Sequence, residues 1–245
     1  MTAPRFLVPL ELSPASVGQT ILLPAAAAHH AVRVLRLAVG DALTLFNGAG
    51  GEYAATLTRA ERNDARVRIE SFDPVERESP MPVTLAQSIA ANDAMDYAVR
   101  KAVELGVAAI QPLVTERSAP LPAGERADKR LAHWKGIAAA ACEQCGRNRI
   151  PQIAVPVPWN DWLAGWKGAG ILLVPGAHAS LATLPRPPLP VALAIGPEGG
   201  FSQREIETAR SKAFHAVSFG PRVLRTETAA AAALAALQTL WGDLR

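Results

Sequence analysis

The sequence predicts an α/β protein in two parts, a small antiparallel β-barrel followed by a larger α/β domain with a mostly parallel sheet. Three observations carry this. In ARVRIES (65–71), Val67 and Ile69 point one way and Arg66, Arg68 and Glu70 the other, the two-residue period of a half-buried strand. DPVERESPMP (73–82) then breaks all periodicity with three prolines and several charges. Beyond it, apolar strand-like runs alternate with helical patterns, as a parallel sheet with crossover helices requires. The expected division is a barrel over 1–72, a linker over 73–82 and the α/β domain over 83–245.

In order, the first part offers ILL from Ile21, ALTLF (42–46), EYAATLT (52–58) and ARVRIES as strands. NGAGG (47–51) lies between two of them and supplies the φ > 0 residues of a hairpin. It is not read as a phosphate loop, because no helix follows. In the second part VTLAQSIA is a strand and MDYAVRKAVELG a helix, closed by Gly106 where a left-handed residue is needed after Leu105. AAIQPLV is the next strand, and a long helix is expected from about Arg126 to Cys145. ILLV (171–174), VALAI (191–195) and AVSF (216–219) are further strands, and an Ala-rich helix ends the chain.

The 245 residues are 49% hydrophobic, enough for a core without disulfides. Two cysteines and the lack of a basic-then-apolar leader point to the cytoplasm. No apolar run approaches a membrane-spanning length, so no membrane partner is expected. The net charge of +3 is uneven: the first 80 residues carry −1 and the rest +4. Five of the 25 basic residues are lysine; the arginine excess suits phosphate contact, although GC-rich coding produces it equally.

AIGPEGGFSQREIE (194–207) concentrates the signals of a site. An apolar strand, of the kind buried on both faces, runs into Gly-Pro-Glu-Gly-Gly, and Ser202 with Glu205 forms a capping box that starts a helix. ILLV likewise runs into Pro175-Gly176, and AVSF into Gly220-Pro221. Parallel sheets bind ligands at the carboxyl ends of their strands, so three backbone-rich loops are placed to converge on one pocket. Neither a dinucleotide fingerprint nor a P-loop occurs, which disfavours phosphate cradling and a nucleotide-dependent oxidoreductase. Carbonyls, amides and the Glu198 carboxylate suit a neutral or cationic adenosine-like ligand. Ordinary βα turns are the plain alternative.

AIGPEGGFSQREIE, VSFGPRVLRTETAAAAAL, MDYAVRKAVELGVAAIQPL and WKGIAAAACEQCGRNRIPQI together resemble the SPOUT-class family that methylates N3 of a uridine in 16S ribosomal RNA. HHAVRVLRLAVGDALTLFNGAGGEY resembles that family's PUA-like RNA-binding barrel. The likeness runs, in order, over nearly the whole chain. It implies a trefoil knot in the C-terminal domain, S-adenosylmethionine bound in the knot, a homodimer, and 16S rRNA or the small ribosomal subunit as partner. Cofactor contacts are carried over to Val174, Pro175, Gly176, Ile195, Gly196, Pro197, Glu198, Gly199, Gly200, Phe219, Gly220, Val223, Leu224, Arg225 and Thr228. RNA contacts are carried to Arg5, His30, Arg33, Arg36 and Arg147, with Arg33 and Arg36 three apart on an expected helical turn.

Methyl transfer from a sulfonium needs no metal, but N3 of uridine must lose its proton and its anion must be stabilised. Arg147 or Arg225 is the candidate for the anion, and Glu198 or Glu227 for the proton; for Glu227, next to Thr226, service to the helix start is the favoured reading. Cys142 and Cys145 fall late in a helix with no second pair, so neither a redox nor a zinc site is expected, and His29-His30 is weak as a metal site. A related enzyme acting on a ribose 2′-hydroxyl or another base, or a noncatalytic assembly factor, are the competing readings.

Overall fold

The computed structural model describes residues 3–61, 64–120 and 124–244. They form two compact units: Met1–Glu78 with Cys142–Ile150, and Ser79–Ala141 with Pro151–Arg245.

The first unit holds β1 (Arg5–Leu7), β2 (Thr20–Leu22), α1 (Ala25–His29), β3 (Ala42–Phe46), β4 (Glu52–Glu61) and β5 (Asp64–Asp73). The sheet order is β1-β3-β4-β5-β2, antiparallel except for the parallel β1–β3 pair. Two register shifts between β4 and β5 add the local bend of a β-bulge. Val67 and Ile69 are fully buried with Phe6, Leu43, Leu45 and Leu57, and Arg66, Arg68 and Glu70 face solvent. NGAGG joins β3 to β4, with Gly48, Gly50 and Gly51 all at positive φ. At Gly51 a Cβ would also run into the Phe72 ring, so no other residue fits.

The helix expected around Arg33 and Arg36 is shorter than predicted. α1 passes into one wide π-helical turn over His30–Val34, and Arg36 sits beyond it at φ 56°. The two arginines therefore share no helical face, because the chain leaves the helix between them. Val34, Leu35 and Val39 are exposed around them.

Residues 142–150 belong to this unit although they lie far along the chain. Glu143 Oε1 accepts from the Leu7 amide (2.8 Å), Asn148 Oδ1 accepts from Arg5 Nη2 (2.6 Å), and Asn148 Nδ2 donates to Val75 O (2.9 Å). The linear division at 72–83 missed this insertion, since hydrogen bonds between distant segments leave no periodic trace. Cys142 is buried and donates to Arg149 O (3.6 Å). Burial pushes its thiol up to about 12, so it stays protonated at neutral pH.

Glu52 is the electrostatic centre of the unit, with Arg5 and Arg77 on one carboxylate oxygen at 2.5 and 2.9 Å. Burial pushes its pKa up, but the hydrogen bonds from Arg77 and Arg5 outweigh burial and hold the pKa at about 2 instead of 4.5. A depressed carboxyl stabilises the fold fully above about pH 4.5, and that stabilisation is lost as pH falls through about 2. Glu52→Gln is expected to cost about 2–3 kcal/mol at pH 7 and nothing near pH 2. Urea melts of both proteins across that window test it; parallel curves at every pH would refute it.

The second unit contains β6 (Val83–Ser88), α2 (Asn92–Glu104), β7 (Ala109–Val114), α3 (Glu125–Cys145, whose last residues join the first unit), β8 (Gln152–Ile153), β9 (Val157–Pro158), α4 (Trp159–Gly165), β10 (Ala169–Leu173), β11 (Ala179–Ser180), β12 (Val191–Ile195), α5 (Gln203–Ser211), β13 (Phe214–Ser218) and α6 (Thr226–Trp241). Every strand pair is parallel, in the order β11-β13-β10-β12-β6-β7-β8 with β9 beside β7. All five residues of β12 are buried, as VALAI implied. α6 packs on α2, β6 and β12, using the small side chains Ala229, Ala230 and Ala233 on its buried face. α4 was not predicted, because WNDWLAG is only two turns long; Trp159 and Leu163 bury it against Phe201 and Phe214. Gly106 closes α2 at φ 76°.

Because β13, β10 and β12 are adjacent and parallel, the loops leaving their carboxyl ends lie side by side. That arrangement creates the site.

Candidate active site

A cavity of about 870 Å³ opens at those strand exits. It is lined by residues 174–176, 195–200 and 219–225, so the three loops expected to converge do so. Of the residues carried over as cofactor contacts, all but Thr228 line it. Thr228 is exposed on the first turn of α6, where the helical step turns it away while Thr226, Glu227 and Ala229 face the cavity. The reading missed a fourth wall, Ala91, Asp93 and Ala94 at the start of α2. The signal was present, since the apolar strand VTLAQS runs into the small-residue turn IAAN just as the other three strands run into theirs.

The Gly-rich loop after β12 is held on several sides. Ser202 Oγ accepts from the Glu205 amide (3.2 Å) and Glu205 Oε2 accepts from the Ser202 amide (2.8 Å), the reciprocal capping box expected of FSQRE. The other oxygen of the buried Glu205 accepts from the Glu116 amide (3.0 Å). Arg117 Nη1 donates to Gly199 O (2.9 Å). Glu198 Oε1 accepts from the Ala91 amide (2.9 Å), which places a carboxylate at the amino end of α2, where the helix dipole favours negative charge. Glu198 thus has a structural task that the sequence did not suggest. From beneath, buried Thr226 donates to Gly196 O (2.6 Å) and accepts from Gln87 Nε2 (2.9 Å), tying the loop to α6 and β6.

Arg222 and Arg225 are the cations on the cavity wall, and Asp93, Glu198 and Glu227 the carboxylates. Arg225 precedes α6 and is exposed; its carbonyl accepts from the Ala229 amide (2.8 Å), while its side chain makes no hydrogen bond or ion pair among the described residues. Arg147 is placed differently. It belongs to the first unit, is 3% exposed, and pairs with both carboxylate oxygens of Glu78, at 3.0 and 2.5 Å. It does not line the cavity. Arg5 is also committed, to Glu52 and Asn148 and over the Phe46 ring. Of the five residues carried over as RNA contacts, His30, Arg33 and Arg36 are exposed.

A cavity at the carboxyl ends of a parallel sheet, in a chain that also carries a separate β-sheet unit, is the arrangement of a ligand-binding α/β domain. Family models for the RNA methyltransferase domain and the RNA methyltransferase PUA domain match residues 77–238 and 23–70. The chain is 35% identical to the ribosomal RNA small subunit methyltransferase E of Buchnera aphidicola, over 93% of this chain and 94% of that one. A Neisseria gonorrhoeae enzyme of the same name, solved with S-adenosyl methionine bound, superposes over all of both chains with a TM-score of 0.92 at 40% identity. A Legionella pneumophila methyltransferase in complex with the same cofactor does so with a TM-score of 0.94 at 42% identity. The chain belongs to the ribosomal RNA small subunit methyltransferase E family.

Proposed function

We propose that this chain uses S-adenosylmethionine to methylate N3 of a uridine in 16S rRNA, on the small ribosomal subunit and in the cytoplasm. The observation that carries the reading is Arg225, an uncommitted guanidinium on the wall of the cavity formed at the strand exits. The cavity fits the cofactor in size and in chemistry. Its volume is that of a site for a ligand of this size. Main-chain groups of 174–176, 195–200 and 219–224 would hold the adenosine, and carboxylates rather than phosphate-binding lysines suit its positive charge. When bound, the cofactor supplies an electrophilic methyl group and no metal is needed.

The chain's own residues then have two tasks. Arg225 stabilises the anion that forms when N3 loses its proton, whose charge spreads onto the flanking carbonyl oxygens. Glu227, in the first turn of α6 and on the cavity wall, is placed to take the proton, since Glu198 is occupied at the α2 amide. The knot and the homodimer belong to the same reading; the packing of α6 across β6 and β12, with Thr226 under the Gly196 loop, supports the threading.

Small subunits from cells lacking the enzyme, incubated with it and S-adenosylmethionine, are expected to gain one methyl group. Nuclease digestion with mass spectrometry should identify it as 3-methyluridine. A 2′-O-methylated nucleoside would overturn the assignment to N3, and no transfer to any rRNA would overturn the enzyme.

A further inference from the structure

A second cavity, about 480 Å³, lies between α2 and α3 and is lined by Asn92, Asp96, Lys129, Arg130, His133 and Trp134. It stands back to back with the first across a single helical turn: Ala91, Asp93 and Ala94 face the first cavity, Asn92 and Asp96 this one. The separation is roughly 10 Å of helix thickness, within reach of the nucleotides beside a base drawn into the active site.

Its chemistry is that of a nucleotide site. The Arg130 guanidinium lies 5.3 Å over the ring of Trp134, whose indole is buried and cannot swing away, and Nη2 reaches Ala90 O at 3.4 Å. The arginine is thereby held against the aromatic ring on the cavity wall by a cation–π contact. His133 is a second plane, oriented by Asp96 Oδ2 at 2.7 Å from its Nε2. That contact occupies the cavity's one carboxylate, so the charge left facing a ligand is that of Lys129 and Arg130. Lys129 is well exposed and, among the described residues, is paired with Glu125 alone at 3.8 Å, a long contact of little strength. Two planar groups for a base and one exposed cation for its phosphodiester make the set that single-stranded RNA is held by.

We infer that the α2–α3 cavity binds a nucleotide of the rRNA substrate next to the target uridine, with Arg130 and His133 stacking on the base and Lys129 on the phosphate. The inference rests on the proposed rRNA methylation, and the test separates the two. With small subunits as substrate, Arg130→Ala should raise KM about tenfold, and Arg130→Lys should keep most of that loss because an ammonium offers no plane. Lys129→Ala, at an exposed position where folding is not at risk, should reduce the slope of log KM against log salt by about 0.7. Calorimetry should find the S-adenosylmethionine affinity of the native enzyme in all three.

Native KM and native salt slope in all three variants would overturn the nucleotide site while the methyl transfer itself stood. A change in sedimentation with KM unaffected would also overturn it, and would assign the surface to a second copy of the chain. Absence of any transfer by the native enzyme would instead defeat the proposed function.

Discussion

Replacing Arg225 with alanine is expected to lower the rate of methyl transfer about 10²–10³-fold at saturating substrate, with little change in S-adenosylmethionine affinity. Deprotonated N3 carries a charge, shared with the flanking carbonyl oxygens, that a nearby cation can offset, and the wall of the cavity offers two, Arg222 and Arg225. Arg225 is the one with an anchored main chain: the α6 helix begins immediately after it, and the next residue, Thr226, is pinned to Gly196 and Gln87. Its backbone is fixed while its side chain is not committed, which lets it meet charge as charge appears. Lysine at this position supplies a point charge without the planar fork and should recover only part of the rate. Single-turnover measurements with Arg225→Ala and Arg222→Ala side by side decide the matter. If the Arg222 variant is the impaired one, the assignment to Arg225 is wrong.

Thr226→Val should destabilise the second unit by about 2–4 kcal/mol and weaken cofactor binding with it. Valine matches threonine in shape, so packing is kept and only the hydroxyl is lost. That hydroxyl serves Gly196 O and Gln87 Nε2 at once, in a region where Gln87 Oε1 already has no partner. No spare donor is at hand to replace it. The loop carrying Gly196 would lose its tether to α6, and a loosened wall must be reordered on binding. Thr226→Ser, which keeps the hydroxyl, should restore both properties. Denaturant melts with and without S-adenosylmethionine measure the two effects together; a valine variant as stable as the native chain would show that the tether carries no weight.

Much of the site could be read from the chain because it is made of local motifs. VALAI running into GPEGG, the Ser202–Glu205 capping box and the Pro-Gly and Gly-Pro strand exits are each settled by residues within a few positions of one another. Their convergence also followed, since the exits of neighbouring parallel strands must lie together. The fourth wall at α2 was overlooked for want of a glycine to mark it.

Other residues have partners that no local motif records. In CGRN, Arg147 looks available, yet Glu78, distant in sequence, covers it; Glu198 looks like a ligand group, yet it also caps α2. Which partner a charged side chain finds depends on segments far along the chain, and no periodicity records that.

The sequence by itself determined the α/β class, the alternation that buries Val67 and Ile69, the capped helix after the Gly-rich loop and the chemistry offered at each strand end, because hydrophobic period and backbone stereochemistry act over short range. Only the tertiary structure decided that residues 142–150 complete the β-sheet unit, that Arg147 is spent on Glu78, and that α2 and α3 enclose a second cavity. Those outcomes depend on hydrogen bonds and packing between segments tens of residues apart, whose geometry exists only once the chain has folded.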